Sequence, residues 1–291
     1  MTRPRVGVIV LDFGRPEDAR RAAASAQADE DVRLLIVENG SPPGAPSDDD
    51  HLRLPENRGF AGGMNAGVRH LLAEGLDRVL LLNNDAVLEP GCLRRLTDAL
   101  DDPTLAAVGP VILRDADGRV ESRGVRVDLR WGRVRLEGHG EAPPEGPDLA
   151  AATALSGAAM MVTRAALERV GLLDERYFFS FEDVDWCVRA RRFGYRVAVV
   201  TPAHARHVGN QTIGRRSPDR LYYAARNHVM FVERHHPLEG PARVLRRGAV
   251  FALNLGQVAR QRDIPRLLAT RAVCAGMMDA WQGHSGRRAS K

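Results

Sequence analysis

The sequence predicts an α/β fold in which a doubly wound, mostly parallel central sheet carries a C-terminal helical extension. Short apolar runs at residues 6–11, 32–37 and 79–82 have the length and composition of parallel strands that are buried on both faces. Helical segments alternate with these runs, which is typical of a parallel sheet covered by helices. Polar residues directly follow the runs, at the sheet edge where such folds bind ligands.

The first hundred residues justify this prediction element by element. A helix is expected over residues 16–28, because the segment is rich in alanine and a proline suits its first turn. Turn-forming residues 38–43 end the second strand. A short third strand is expected at residues 51–54. Residues 57–67 are expected to form a glycine-rich loop that leads into a helix ending near Ala73.

The second hundred residues are less regular. Alternating polar and apolar residues predict hairpin strands within residues 120–136, and three prolines indicate a loop or lid at residues 141–148. Gly171 is expected to cap a short helix. The remaining expected elements are strands at residues 106–113, 158–162 and 196–200 and helices at residues 164–170 and 182–193.

The C-terminal region is predicted to be helical. Leu221, Ala225 and Val229 recur on one face at helical spacing. A second helical region covers roughly residues 242–281, and the tail after Gly283 is expected to be disordered.

Composition limits the function classes. A chain of 291 residues with 44% hydrophobic and 27% charged residues has the make-up of an ordinary soluble globular protein. Neither a bilayer-spanning apolar stretch nor a signal peptide is recognisable, so we expect a cytoplasmic protein. Three widely separated cysteines predict neither a disulfide framework nor a zinc cluster.

The positive charge of the chain has two interpretations. A net charge of +5 and a pI near 9.6 suggest a nucleic-acid partner. We expect none, because Lys291 is the only lysine and abundant arginine can reflect genomic base composition. The basic excess is concentrated after Pro241, which favours an anionic membrane surface over a nucleic-acid groove with interleaved aromatic residues.

Asn83, Asn84 and Asp85 directly follow the apolar run at residues 79–82. A strand that ends in a carboxylate places it at the carboxyl edge of the sheet. Mg²⁺ and Mn²⁺ favour few carboxylates, with water and substrate phosphate completing the coordination shell. The sequence therefore suggests a metal site at Asp85, and a plain turn after a strand is the alternative.

The glycines within residues 57–67 would let the backbone approach a ligand closely, and the helix that follows would favour phosphate at its N-terminus. The spacing is neither that of the dinucleotide-binding G-x-G-x-x-G motif nor that of a P-loop, so a dehydrogenase or NTPase is not favoured. A ligand-binding loop and a tight strand-to-helix turn are equally compatible with this segment.

Acidic residues open the helix predicted after residue 181, namely Glu182, Asp183 and Asp185. The helix dipole favours acidic residues at this position whatever their function. Mutual repulsion can also raise the pKa of a carboxyl group toward that of a useful general base. His207 follows the last predicted strand and could join Asp85 at a metal, although a lone histidine is more often structural. His204 is the weaker alternative.

These segments, taken together, resemble the inverting family 2 glycosyltransferases of GT-A fold, in particular their bacterial rhamnosyltransferase-like branch. The segments that carry the resemblance are residues 8–12, 36–41, 57–67, 81–91, 157–207 and 222–227. The resemblance implies a catalytic domain at residues 1–215, with a nucleotide-sugar-binding half at 1–100 and an acceptor-binding and catalytic half at 101–215. Residues 216–291 would form the helical extension.

The resemblance also implies roles for individual residues. Asp85 corresponds to the metal-contacting residue of the family's DxD-type motif, His207 to a metal-binding histidine and Asp183 to the catalytic base. Glu38 stands where the family usually has an aspartate that reads the nucleotide base. The implied donor-binding residues are Asp12, Glu38, Asn39, Asn57, Gly59, Phe60, Gly63, Asn65, Asn83, Asn84 and Asp85. The implied acceptor-binding residues are Glu182 and Trp186.

The implied activity is transfer of a sugar from a nucleoside diphosphate sugar, with dTDP-L-rhamnose favoured by the branch, to a hydroxyl of a glycan or lipid-linked glycan. The implied cofactor is Mg²⁺ or Mn²⁺ on the diphosphate. A sugar nucleotidyltransferase is the alternative enzyme, although residues 11–19 lack the basic glycine-rich loop that such enzymes usually carry. A carbohydrate-binding relative without catalysis is the non-enzymatic alternative.

The basic C-terminal helices allow three arrangements. They could rest on the inner face of the cell membrane near a lipid-linked acceptor, pack on the catalytic domain, or contact a second subunit. A peripheral membrane location is therefore an alternative to a purely cytoplasmic one, and a homodimer stays open as a separate alternative.

Overall fold

A ten-stranded mixed sheet organises the chain in a computed structural model, which describes residues 5–28, 32–40, 50–208, 217–261 and 263–288. The strands are β1 Val6–Asp12, β2 Arg33–Asn39, β3 His51–Leu54, β4 Arg78–Asn83, β5 Ala86–Leu88, β6 Leu105–Arg114, β7 Val120–Ser122, β8 Val125–Asp128, β9 Arg133–Leu136, β10 Leu149–Ala151, β11 Ala159–Thr163 and β12 Arg196–His207. The β8–β9 hairpin forms a separate two-stranded sheet.

Eight α-helices lie in the described part of the chain. They are α1 Pro16–Gln27, α2 Gly59–Ala73, α3 Cys92–Ala99, α4 Arg164–Val170, α5 Glu182–Arg192, α6 Pro218–His235, α7 Gly240–Arg260 and α8 Arg266–Trp281. A short 3₁₀ helix, Glu175–Tyr177, precedes α5. None of these helices has the length and apolar composition that a bilayer span requires.

The main sheet has the order β10-β12-β6-β11-β4-β1-β2-β3, with β5 pairing with β12 and β7 with β6. Strands β1 to β4 are mutually parallel, as predicted for the N-terminal half. Strand β11 enters antiparallel between β4 and β6, while β12 is parallel to β6. The carboxyl ends of β1, β2 and β4 therefore meet at one edge, where Asp12 lies opposite Glu38 and Leu11 lies opposite Asn83.

Strand β1 illustrates why the sheet is covered on both faces. Its side chains alternate, so Ile9 and Leu11 join one hydrophobic cluster while Val8 and Val10 join the other. Helix α2 packs on the first face, and α1 and α3 pack on the second. Burying each such side chain contributes about 1.5–3 kcal/mol, which accounts for the short all-apolar strands in the sequence.

Residues 59–67 are helical, so the prediction of a glycine-rich loop over residues 57–67 is wrong for most of that segment. The glycines serve close packing of α2 on the sheet. A Cβ atom on Gly63 would lie 2.4 Å from Cδ1 of Leu11. Glycine on this face of α2 thus lets the helix lie close to β1. The periodicity of apolar residues in the sequence alone does not reveal this packing.

The second helical region expected at roughly residues 242–281 consists of two helices, α7 and α8, separated by residues 261–265. The end of the C-terminal region departs from expectation. The tail after Gly283 is ordered up to Arg288, because the Arg288 amide donates to the Tyr223 hydroxyl at 2.9 Å and the Gly286 amide donates to the Arg176 carbonyl. Residues 289–291 lie outside the described part.

The loop before α5 contains three non-glycine residues with positive φ, namely Phe178 (60°), Ser180 (69°) and Phe181 (77°). Such a conformation costs about 1–3 kcal/mol per residue, so surrounding contacts must hold it. Asn227 on α6 is completely buried, and its Nδ2 lies 2.7–2.8 Å from the carbonyl oxygens of Tyr177, Phe179 and Ser180. The side-chain amide has two N–H groups for three carbonyl oxygens, so one N–H is shared between two of them.

We predict that Asn227→Ala destabilises the protein by about 2–5 kcal/mol, because it removes the side-chain donor to the Phe179 and Ser180 carbonyl groups and one of the donors to the Tyr177 carbonyl, and so leaves the strained loop less well held. Asn254→Ala on α7 is the matched control, since Asn254 is also buried but bonds to His228 and Val250. Urea unfolding measures both variants. Equal losses in the two would show that Asn227 has no special role in holding the loop.

Candidate active site

Asp12 and Glu38 lie at the carboxyl ends of neighbouring strands, and both are buried. Asp12 Oδ1 accepts from the Arg15 amide at 2.7 Å and lies 3.4 Å from Asn84 Nδ2. Burial raises the pKa of Asp12, although these hydrogen bonds oppose the shift. Glu38 accepts from Arg53 Nε at 2.9 Å and lies 3.0 Å from Nδ1 of His51. Its carboxylate is therefore engaged by basic groups on β3.

Asn39 and Asn57 shape the turn that precedes α2. Asn39 Oδ1 accepts from the Arg58 amide and its Nδ2 donates to the Gly59 carbonyl, each at 2.8 Å. Asn57 Oδ1 accepts from the Gly59 amide at 2.8 Å. Gly59 has φ +73°, and a Cβ atom there would lie 2.2 Å from the Phe178 carbonyl oxygen. Only glycine therefore fits where this turn touches the strained loop.

Three of the predicted ligand-binding residues have interior positions instead. Gly63 faces the sheet, as described above. Asn65 is buried and exchanges hydrogen bonds with the backbone of Leu173 at 2.9 and 3.1 Å. Trp186 is completely buried, and its indole N–H donates to the Gly171 carbonyl at 2.7 Å. The expectation that Trp186 borders the acceptor is therefore corrected, because this side chain packs in the core.

Asp85 and His207, which are 122 positions apart in the chain, lie next to each other at the sheet edge. His207 Nε2 is 3.1 Å from Asp85 Oδ1, and His207 Nδ1 is 3.0 Å from Glu121 Oε2. Burial opposes a charge on this imidazole, but the two carboxylates outweigh it and raise the pKa of His207 to about 10. His204, the alternative, lies instead 3.4 Å from Glu89.

Glu121 was missed by reasoning from the sequence. It lies on β7, a three-residue strand that pairs with β6, and this pairing brings it to His207. The sequence around it predicts a hairpin and carries no acidic motif, so only the tertiary fold reveals the contact.

Asp183 lies at the N-terminus of α5, within reach of the cleft. Its Oδ2 accepts from the Gly157 amide and its Oδ1 from the Val184 amide, each at 2.7 Å. Burial raises the pKa of Asp183, although these hydrogen bonds oppose the shift. The two hydrogen bonds also fix the orientation of the carboxylate.

Glu182 is buried beside Asp183, and its Oε2 has no hydrogen-bond partner among the described residues. Burial, followed by the charge of Asp183, raises the pKa of Glu182 to about 8. Asp185 behaves differently, because Arg189 Nε at 2.8 Å and His235 Nε2 at 2.8 Å hold it in a buried ion-pair network. Of the three acidic residues, Asp185 therefore has a structural position.

Two adjoining cavities open at this edge. The first, of about 380 Å³, is lined by Asp85 and will be called the Asp85 cavity. The second, of about 340 Å³, is lined by Phe60, Glu182 and Asp183 and will be called the Asp183 cavity. Residues common to both linings are Asn83, Phe179, Ser180, His207 and Ala224.

Asp85 and His207 are the side chains that could hold a divalent metal here. Within the described residues, no group of three or more His, Cys, Asp or Glu side chains forms a complete metal site. A pair of protein ligands nevertheless fits Mg²⁺ or Mn²⁺, which take their remaining ligands from water and phosphate oxygens. Glu121 on Nδ1 leaves Nε2 of His207 to face the metal, an arrangement common in metalloproteins.

Comparison with known proteins identifies the class. Residues 44–224 match the family described as "Glycosyltransferase like family 2", and the chain belongs to this family. Among solved structures, the chain is similar to a mannosyltransferase from Pyrobaculum calidifontis in complex with GDP-Man and Mn²⁺, with a TM-score of 0.57 and 16% identity over 97% of this chain and 88% of that one. GalNAc-T7 with UDP, GalNAc and Mn²⁺ has a TM-score of 0.55 and 12% identity over 70% of this chain and 43% of that one. The fold is therefore GT-A.

Two curated relatives are rhamnosyltransferases by name. The dTDP-rhamnosyl transferase RfbF of Shigella flexneri is 26% identical over 63% of this chain, and the match spans 62% of the Shigella protein. The N-acetylglucosaminyl-diphospho-decaprenol L-rhamnosyltransferase of Mycobacterium tuberculosis is 28% identical over 74% of this chain and 79% of its own length. The predicted family and its rhamnosyltransferase-like branch are thereby confirmed.

The elevated pKa of Glu182 makes a prediction about stability. The folded protein keeps this proton up to about pH 8, whereas the unfolded chain releases it near pH 4.5, so stability falls as the pH rises between these values. Glu182→Gln should remove this loss, and should be more stable than the natural protein by about 1–4 kcal/mol at pH 9 and nearly equal at pH 4.5. Urea unfolding at both pH values measures the difference.

Glu145→Gln, in an exposed loop, is the control and should leave the pH dependence unchanged. If Glu182→Gln keeps the same pH dependence as the natural protein, the side chain of Glu182 is ionised and solvated in the folded state.

Proposed function

We propose that the protein is an inverting glycosyltransferase that moves a sugar from a nucleoside diphosphate sugar to an acceptor hydroxyl. One observation carries this proposal. The Asp85–His207 pair and the Asp183 carboxylate line adjoining cavities that share residues from four parts of the chain. Such a site can hold a diphosphate on one side of a sugar and a proton acceptor on the other.

The donor would occupy the carboxyl edge of β1, β2 and β4. Asp12, Glu38 and Asn84 line this edge in the positions that the family resemblance assigns to the donor. A divalent metal held by Asp85 and His207 would neutralise charge on the departing diphosphate, which is worth several kcal/mol at the transition state. Binding it requires a neutral His207 that donates Nδ1–H to Glu121, since only then does Nε2 present a lone pair.

The reaction would be a single in-line displacement. Asp183 takes the proton of the acceptor hydroxyl as its oxygen bonds to the anomeric carbon. The bond from that carbon to the diphosphate oxygen breaks on the opposite face, so the nucleoside diphosphate leaves and the configuration inverts. The hydrogen bonds from Gly157 and Val184 hold the carboxylate in place for this step.

The curated relatives support the choice of substrates. The name of the Shigella protein gives a dTDP-rhamnosyl donor and the name of the mycobacterial protein gives L-rhamnose, so together they favour dTDP-L-rhamnose as the donor. The mycobacterial name also favours a lipid-linked glycan as the acceptor. A sugar nucleotidyltransferase would instead release pyrophosphate from an NTP and a sugar phosphate, so an assay for pyrophosphate distinguishes the two enzymes.

Peripheral membrane contact through the C-terminal helices is part of the proposal for the acceptor. Helix α7 exposes Val244 and Leu245, with 69% and 75% of their surface accessible. Apolar side chains flanked by arginines support placement of this helix at an anionic leaflet. Contact with a second subunit stays an alternative for the same face.

We predict that Asp183→Asn lowers kcat by at least about 10²- to 10⁴-fold, because asparagine cannot accept the proton. The affinity for the donor should stay within about twofold, since Asp183 is on the acceptor side. Nucleoside diphosphate release measures kcat, and calorimetry with dTDP-L-rhamnose, UDP-sugars and GDP-sugars measures donor binding. Asp98→Asn, on the exposed face of α3, is the control. Near-natural turnover in Asp183→Asn would remove Asp183 from the reaction.

A second prediction concerns the metal. Glu121→Gln should weaken Mn²⁺ binding in the presence of dTDP by about 10- to 100-fold, because it removes the carboxylate that orients His207. Asp85→Ala should weaken it further, as it removes a ligand. Calorimetric Mn²⁺ titration measures both, and Glu141→Gln, an exposed residue paired with Arg123, is the control. Unchanged Mn²⁺ affinity in Glu121→Gln would contradict the assigned role.

A further inference from the structure

A third cavity, of about 480 Å³, adjoins the two cavities of the candidate active site. It lies between the β8–β9 hairpin and helix α7, and will be called the arginine cavity. Val134, Phe181 and Ala224 line both this cavity and the Asp183 cavity. Gln257 lines both this cavity and the Asp85 cavity. A molecule in the Asp183 cavity could therefore extend into the arginine cavity.

The arginine cavity is named for Arg133, Arg135 and Arg260, which line it. Across the described part of the chain, these three side chains make no hydrogen bond or ion pair, and no carboxylate lines the cavity. Other arginines nearby are paired, such as Arg126 with Glu137 and Arg247 with Glu233. Three like charges around one cavity repel one another, and an anion placed there would relieve the repulsion.

The floor of the arginine cavity is polar and uncharged. His228 Nε2 lies 2.7 Å from the Trp131 carbonyl and its Nδ1 lies 3.0 Å from Asn254 Nδ2, so Nε2 donates and Nδ1 accepts. This pattern is that of the neutral imidazole. Burial lowers the pKa of His228, and the charge of Arg133 adds to that shift. The positive charge of the cavity therefore comes from the arginines.

We propose that the arginine cavity binds a phosphate or diphosphate group carried by the acceptor. Guanidinium groups pair with phosphate through two parallel hydrogen bonds and are the side chains best suited to this anion. The arginine cavity adjoins the Asp183 cavity, where the acceptor hydroxyl would lie, while the donor diphosphate belongs with Asp85. Val134 and Leu253, each 36% exposed, would contact an apolar group bonded to the phosphate. This proposal rests on the proposed function, because only a transferase has an acceptor.

Binding of geranyl diphosphate, measured by calorimetry in EDTA, tests the proposal without a donor or a metal. The double variant Arg133→Gln with Arg135→Gln should weaken binding by at least about tenfold, and Arg260→Gln by several-fold. Arg126→Gln is the control for a single charge, because it removes one positive charge from the same hairpin outside the cavity. Asp85→Ala should have no effect. Loss of binding in Asp85→Ala, equal losses in Arg126→Gln, or no binding by the natural protein would each overturn the proposal.

Two further probes identify the source of the anion. Inorganic pyrophosphate should compete with geranyl diphosphate at the same arginines. Geraniol, which lacks the phosphates, should not bind. If the arginine variants lose binding to phosphatidylglycerol vesicles but keep their affinity for geranyl diphosphate, the arginines contact a lipid surface and the proposal is wrong.

The binding of geranyl diphosphate is measured without turnover, so the anion site and the transferase function can fail separately. If the protein binds geranyl diphosphate through these arginines but transfers no sugar, the proposed anion site stands and the proposed transferase function is wrong. If the protein is an active transferase and the arginine variants change its rate neither on acceptors with phosphate nor on acceptors without it, the proposed function stands and the proposed anion site is wrong.

Discussion

The strained loop from Phe178 to Phe181 is the constraint on which the candidate site depends. Its left-handed residues turn the chain sharply, so that α5 begins with Glu182 and Asp183 facing the cleft. Asn227 holds the carbonyl groups of this loop from one side. On the other side, the Phe60 amide donates to the Phe178 carbonyl at 2.7 Å. The preceding residue must be glycine, because a Cβ atom on Gly59 would collide with the same carbonyl. The loop thus connects the sheet edge, helix α5 and the C-terminal helix α6.

The charges around the cleft are separated in a way that suits group transfer. Carboxylates that follow β4 and open α5 line two cavities, whereas arginines without a partner among the described residues line the third. In the proposed function, a cation with a diphosphate would occupy the first cavity, the acceptor hydroxyl the second and the phosphate of the acceptor the third. The arginines of the third cavity would repel a divalent cation, and the carboxylates of the second would repel a phosphate.

The sequence was sufficient for features that arise from local patterns. Apolar runs predict the parallel strands, and the polar end of the run at residues 79–82 predicts that Asp85 lies at the carboxyl edge of the sheet. The positions of Asp12 and Glu38 near a donor are implied by the family resemblance. Proximity of His207 to Asp85 came from family resemblance, since the strand between residues 196 and 207 reaches further than its apolar part indicated. Features that depend on packing were missed: the helical glycines of α2, the burial of Trp186, the contact of Glu121 and the order of the tail on α6.

The central claim is that two groups face opposite sides of one sugar. The Asp85–His207 pair lies on one side and Asp183 on the other. A crystal structure of Asp183→Asn with Mn²⁺ and an intact nucleoside diphosphate sugar tests it most directly. The claim predicts the metal on Asp85 and His207 Nε2, the diphosphate on the metal, and the anomeric carbon with its free face toward residue 183. A diphosphate bound away from Asp85, or a sugar whose opposite face is closed to residue 183, would contradict it.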